Sequence, residues 1–151
     1  MLPALYYAHA AFRVFVAVSF IVIGVLHFTH GALFEAIMPP YLPAPMFLVY
    51  LSGVFEIAGG VGLLIPRLRW QAGIGLLLLL VAVFPANWHM YANNVYLPVE
   101  WLDQNPDSLY WRLWFQPVIA IQVIIAMQSP TMRRPPVMDR DDDDLSHDLL
   151  P

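Results

Sequence analysis

The chain has 151 residues, of which 60% are hydrophobic and only 12% are charged, and its formal net charge is -4. A soluble domain of this size carries about twice that share of charged residues, so the composition excludes an ordinary soluble globular protein. The chain contains no cysteine, which excludes disulfides, thiolate metal sites and thiol redox chemistry of its own.

Four segments are apolar enough to cross a bilayer, which takes about 20 residues each. They run from Ala8 to His30, Pro45 to Ile65, Trp70 to Ala92 and Trp111 to Ser129. None shows the alternation of polar and apolar residues that is typical of membrane strands. The sequence therefore predicts an all-α integral membrane four-helix bundle, residues 1–130. A disordered acidic tail is predicted for residues 131–151, because proline and charge dominate there without apolar periodicity.

The first predicted helix carries Arg13, Phe20 and His27 at intervals of seven residues, so the three share a face that we expect to point inward. The segment lacks a basic start and an obvious small-residue cleavage site, and this favours a retained helix over a signal peptide. His27 and His30 lie one turn apart and could supply two imidazoles to a metal ion. That pattern is short, and no metal site is predicted.

The second helix contains Glu56, eleven residues after Pro45, which places it about 16 Å along the helix and near the bilayer midplane. A charge at that depth costs about 2.5–3.5 kcal/mol, so Glu56 is expected to face protein or a cavity. Arg13 is its best partner, and an Arg13–Glu56 ion pair is predicted. In the alternative, Arg13 extends to the headgroups and Glu56 stays protonated.

The connection between these helices, "GALFEAIMPPYLPAP", has four prolines and many apolar residues. It is too apolar for a freely solvated loop, so it is expected to lie on the outer surface. With the connection that follows the third helix, it could form a lid over the bundle. Two interfacial loops without a lid function are the alternative.

The third helix ends in "FPANWHMYANN". Asn87 lies about 9 Å below Asn93, deeper than a helix terminus requires. Asn87 and His89 point to nearly opposite faces, and Asn87 is predicted to face inward. Pro85 removes a backbone donor and leaves a carbonyl one turn back that requires another donor.

The fourth helix begins with "WRLWFQP", which places Arg112 and Gln116 on one face. The predicted ligand-binding set lies below the outer loops. Glu56 is its deepest member, about 14 Å from the helix end that carries the two histidines. Its ligand would be a quinone ring or a polar headgroup. Alternatively, these groups satisfy one another where the helices end. The set is His27, Glu56, Asn87, Arg112 and Gln116.

The basic residues predict the orientation. All seven are arginine, and five lie in the second loop or after the fourth helix. The positive-inside rule makes that side cytoplasmic, together with both termini. The five are Arg67, Arg69, Arg133, Arg134 and Arg140.

In order along the chain, "HF", "MPPYLP", "SGVFEIAGGVGLLIPRLRWQAG", "FPANWHM" and "WRLWFQP" resemble the DoxX family of small bacterial and archaeal four-helix membrane proteins. The resemblance covers about Arg13 to Gln128, and the most specific blocks are "EIAGGVGLLIP" and "FPAN". It implies a bacterial inner membrane. Some DoxX-like proteins are associated with thiosulfate:quinone oxidoreduction, others with oxidative-stress proteins or with maturation of methylamine dehydrogenase. The chain departs from a thiol-based redox scheme because it has no cysteine. The family-like positions are Arg13, His27, Glu56, Asn87, Arg112 and Gln116.

Three functions remain open at this point. The first is an accessory component of a quinone-linked redox system, with no covalently bound cofactor and with a quinone as its ligand. The second is a non-catalytic structural or assembly subunit of a larger membrane complex. The third, a solute carrier, is disfavoured because four spans show no internal repeat.

No nucleophile, flavin site or haem ligand pair is recognisable, so no enzyme class is assigned. The expected partners are the bilayer, another membrane protein or complex, and a quinone or lipid headgroup, with no nucleic acid.

Overall fold

The prediction of an all-α four-helix membrane bundle is confirmed. The computed structural model describes residues 2–96 and 106–128. Four of the five helices in these ranges, α1, α3, α4 and α5, are long and apolar enough to cross a membrane. The predicted tail, residues 131–151, lies outside the described residues, and the boundary between the domain and the tail stays a prediction. The helices are α1 (Leu2–Thr29), α2 (Gly31–Glu35), α3 (Pro45–Leu64), α4 (Arg69–Asn93) and α5 (Pro106–Met127).

Two helices begin earlier than predicted. α1 starts at Leu2 rather than Ala8, and α5 starts at Pro106 rather than Trp111. Proline suits the first turn of a helix, whose amide hydrogens have no partner within the helix. Asp107 in the first turn of α5 interacts favourably with the positive end of the helix dipole. Residues that favour a helix start therefore lie before the most apolar part of each helix, and both helices begin there.

The four long helices form a closed ring in which α1 packs on α3, α3 on α4, α4 on α5, and α5 on α1. Helices α3 and α5 are therefore diagonal neighbours. We call the end at which α1 ends and α3 begins the upper end, and the opposite end the lower end. The short helix α2 packs on α3 and α1 at the upper end.

Helices α1 and α3 approach each other closely at two glycines. A Cβ atom added to Gly24 would lie 2.8 Å from the backbone oxygen of Gly53, and one added to Gly53 would lie 2.9 Å from the backbone oxygen of Gly24. Only a residue without a side chain fits such a crossing. The close crossing brings the side chains one turn away on each helix within reach of each other.

The apolar core lies in the lower half of the bundle. It consists of Val16, Ala17, Phe20, Leu63, Leu76, Val123 and Ala126. Many large apolar side chains point away from the bundle; Leu78 is 65% exposed and Val81 is 72% exposed. Exposed apolar surface of this extent is costly in water and favourable against lipid acyl chains.

The predicted Arg13–Glu56 ion pair is wrong. Arg13 is buried at the lower end, where its Nε donates to the backbone oxygen of Ala126 (2.8 Å) and an Nη donates to that of Gln128 (2.9 Å). The same Nη contacts Nδ1 of His9 at 3.0 Å, and Nε2 of His9 contacts the backbone oxygen of Ile125 at 3.0 Å. The carbonyls of Ala126 and Gln128 lie at and just beyond the last turn of α5, where the helix supplies no amide partners. Arg13 is thus satisfied by the end of α5, far from Glu56.

Candidate functional site

His27 of α1 and Glu56 of α3 form a buried polar pair in the upper half of the bundle. Their Nδ1 and Oε2 atoms lie 3.2 Å apart, and their side chains are only 9% and 12% exposed. Each residue follows one of the crossing glycines by one turn: His27 follows Gly24, and Glu56 follows Gly53. The small residues of the crossing therefore position the pair.

The predicted separation of about 14 Å between Glu56 and the helix end that carries the histidines is wrong for His27. That prediction treats the upper ends of the two helices as level. Instead, a Cβ atom on Gly53 would lie 2.8 Å from Cβ of His27, so His27 is opposite Gly53 and only one turn from Glu56. Helix α3 thus begins well above the end of α1. His30 does not join the pair: it is exposed, and its Nδ1 contacts the hydroxyl of Thr29 at 2.8 Å.

The carboxylate of Glu56 has an oxygen without a hydrogen-bond partner. Nδ1 of His27 lies 2.9 Å from the backbone oxygen of Ile23, one turn earlier, and it donates to that oxygen when it carries the ring proton. In that tautomer Nδ1 carries a single hydrogen, which is directed to Ile23 and is not available to Glu56. Oε2 of Glu56 is accordingly close to the ring yet buried and unsatisfied. An unsatisfied buried acceptor is costly, and it requires a donor.

An aromatic ring covers the imidazole from above. The ring of Phe34, in α2, stacks on His27 with a centroid distance of 3.9 Å and an interplanar angle of 18°. Gly31 at the start of α2 is buried close to Met46 and Tyr50 of α3, and this contact holds the short helix against the bundle. The first connection therefore covers the imidazole of His27. Residues 97–105, which form most of the other proposed half of a lid, lie outside the described residues.

A second group of polar side chains lies along the seam between α4 and α5. Nε2 of Gln116 donates to the backbone oxygen of Leu80 at 2.6 Å. This bond fixes the orientation of the amide, and Oε1 is left buried without a partner. Pro85 has no amide hydrogen, so the Val81 carbonyl loses its partner within α4. Gln116 bonds to the carbonyl of Leu80, the residue before Val81.

Arg112 lies one turn closer to the upper end of the same seam. Its Nη1 contacts the sulfur of the buried Met90 at 3.6 Å, and a thioether is a weak acceptor. No carboxylate of the described residues lies within 4.0 Å of its guanidinium. Asn87 is half-buried and follows Leu80 by seven residues, which places it on the same face of α4, toward α5.

The helix register relates the two groups. Gly59 of α3 packs against Leu76 of α4, so Glu56 and Leu80, each about one turn higher, lie at one level. Because Gln116 bonds to Leu80, the amide of Gln116 lies at the level of Glu56 on the diagonal helix. Arg112 and Asn87 lie higher. The five predicted residues thus share the upper half of the bundle but divide into a deep set (His27, Glu56, Gln116) and a higher set (Asn87, Arg112).

Sequence reasoning missed three contributors. Phe34 lies in the first connection, where no helix is predicted, and Met90 stands among the polar residues of "FPANWHMYANN". His9 was detectable, because it precedes Arg13 by four residues and so shares its face. His89, which is predicted to point to nearly the opposite face from Asn87, is half-buried with a buried Nδ1 that has no partner among the described residues. Within residues 2–96 and 106–128, no three metal-ligating side chains come together.

Residues 16–128 match the family DUF8561, described as a domain of unknown function, and the chain belongs to that family. No curated protein and no solved structure matches the chain.

Proposed function

We propose that this protein is an integral membrane accessory component of a quinone-linked redox system and that its deep polar set binds the quinone headgroup. The observation that supports the proposal is the buried Oε2 of Glu56, which lacks a donor although it lies 3.2 Å from the imidazole of His27. A hydroxyl group of a reduced quinone would supply that donor. The ring of Phe34 adds an aromatic surface beside the site.

A second unsatisfied acceptor favours the same ligand class. Oε1 of Gln116 is buried without a partner at the level of Glu56, on the diagonal helix. A hydroquinone carries hydroxyl groups at opposite ends of its ring, which suits acceptors on opposite sides of a bundle. The chain has no cysteine to carry electrons. A quinone and a partner protein would therefore carry the electrons, as the resemblance to the DoxX family also implies.

The proposed location is a bacterial inner membrane with both termini cytoplasmic. Arg67 and Arg69 lie at the lower end, where α1 also begins, and the positive-inside rule places that end in the cytoplasm. Reporter fusions after Pro66 and Ser129 should then be active as cytoplasmic fusions, and one after Gln104 as an external fusion. The opposite pattern would reverse the orientation.

Quinone binding can be tested with the full chain in nanodiscs, by quenching of tryptophan fluorescence with decylubiquinol. Glu56→Leu removes the acceptor and should weaken binding by about 1–3 kcal/mol, the cost of a polar group left unpaired. Glu35→Leu is the matched control, since Glu35 lies in α2 and forms no ion pair with His27. Equal binding by the wild type and Glu56→Leu would contradict the proposed site.

A non-catalytic structural or assembly subunit is the alternative, with another membrane protein or complex as its partner. If the wild-type protein binds neither decylubiquinol nor decylubiquinone, the redox proposal fails. The subunit function then becomes the better account. Mass spectrometry of proteins that co-purify in mild detergent would identify the complex.

A further inference from the structure

We infer that the upper part of the α4–α5 seam is a separate binding site for an oxyanion, which the phosphate of a membrane lipid headgroup supplies. The site consists of Arg112 and Asn87, and it does not depend on quinone binding by the deep set. The inference rests on the guanidinium of Arg112, which has no carboxylate within 4.0 Å among the described residues.

The guanidinium of Arg112 has five N–H donors and a full positive charge. Among the described residues, its acceptor is the sulfur of Met90, 3.6 Å from Nη1, and no carboxylate lies within 4.0 Å. A thioether neither neutralises the charge nor satisfies the fork of donors. Arginine forms its strongest hydrogen bonds with phosphate and carboxylate oxygens, often two at a time.

Asn87 lies on the α4 side of the same seam as Arg112. It precedes Met90 by three residues on α4, so it lies about one turn below the thioether that Nη1 of Arg112 contacts. Asn87 is half-buried, and no hydrogen bond joins its side chain to another described residue. Its amide can donate to an oxygen that the guanidinium also binds.

The surrounding aromatic residues indicate a lipid as the source of the oxyanion. Exposed rings extend across the seam at this level, and Tyr91 of α4 contacts Tyr110 of α5 with a centroid distance of 6.2 Å. Tyr110 in turn contacts Trp111 and Trp114, which are both more than half exposed. Tyrosine and tryptophan concentrate at the depth of the lipid headgroups, where phosphates also lie. Arg112, between these rings in sequence, is therefore at phosphate depth.

The test uses the full chain in mild detergent and measures thermophoretic binding of dioctanoyl phosphatidylglycerol. Arg112→Gln should weaken binding by about tenfold or more, because charge-assisted hydrogen bonds are lost. Arg67→Gln removes the same charge at the lower end, where the side chain is exposed, and should leave binding unchanged. Equal losses in the two variants would show attraction by net charge alone and would overturn the site.

Two further arms complete the test. Arg112→Lys keeps the charge but not the fork, so binding should fall between wild type and Arg112→Gln. If Arg112→Gln does not fold, Arg112→Lys serves as the test, with Arg67→Lys as its control. An unchanged affinity in Arg112→Lys would then overturn the site. Inorganic phosphate should compete poorly, while dioctanoylglycerol, which lacks the phosphate, should not bind the seam. Efficient competition by inorganic phosphate would overturn the lipid as the source.

Discussion

The partners of Glu56 can be tested by two double-mutant cycles that share the Glu56→Ala variant. In the first cycle the second change is His27→Ala, and in the second it is Arg13→Ala. The Nδ1 atom of His27 lies 3.2 Å from Oε2 of Glu56, and both side chains are almost fully buried. In the tautomer in which Nδ1 donates to the backbone oxygen of Ile23, the contact is weaker than a full charged hydrogen bond, and a coupling of about 1 kcal/mol is expected. Arg13 lies roughly 21 Å below His27 along α1, so its coupling with Glu56 should stay within about 0.5 kcal/mol of zero.

Unfolding free energies for both cycles can be measured by titration with sodium dodecyl sulfate in mixed micelles, followed by far-ultraviolet circular dichroism. His30→Ala supplies a control histidine, since His30 is exposed at the end of the same helix. Its changes should add to those of Glu56→Ala. A clear coupling between Arg13 and Glu56, with additivity between His27 and Glu56, would refute the arrangement of contacts described above.

Three other changes test the framework around the site. Arg13→Leu should destabilise the bundle by about 3 kcal/mol in the same titration, because carbonyls at the end of α5 lose a charged donor; a change below about 0.5 kcal/mol would contradict the cap. Gly24→Leu should cost about 1–3 kcal/mol and abolish the His27–Glu56 coupling, because α1 and α3 would be forced apart; a retained coupling would contradict the role of the crossing. Gln116→Leu should cost about 1 kcal/mol and increase the hydrogen–deuterium exchange of the middle of α4, and unchanged exchange would contradict the bond to Leu80.

Much of the fold could be predicted from the sequence, because hydropathy and length decide which segments can cross a bilayer. Helix faces were also predictable: Arg13, Phe20 and His27 do share the buried face of α1. The partner of Glu56 was not, because helix periodicity gives the direction of a side chain but not the relative height of two helices. That height follows from the Gly24–Gly53 crossing, which only the packed structure shows. The same limit applies to the division of the five site residues into a deep and a higher set.

We propose that a quinone headgroup binds beside His27 and Glu56. The most direct test of this claim is photo-crosslinking of the wild-type protein in nanodiscs with an azidoquinone, followed by peptide mapping. The crosslinked label should concentrate around His27 of α1 and Glu56 of α3 and on Phe34, and an excess of unlabelled quinone should prevent this labelling. Label confined to lipid-facing residues such as Phe15 and Val18, without displacement by unlabelled quinone, would contradict the claim.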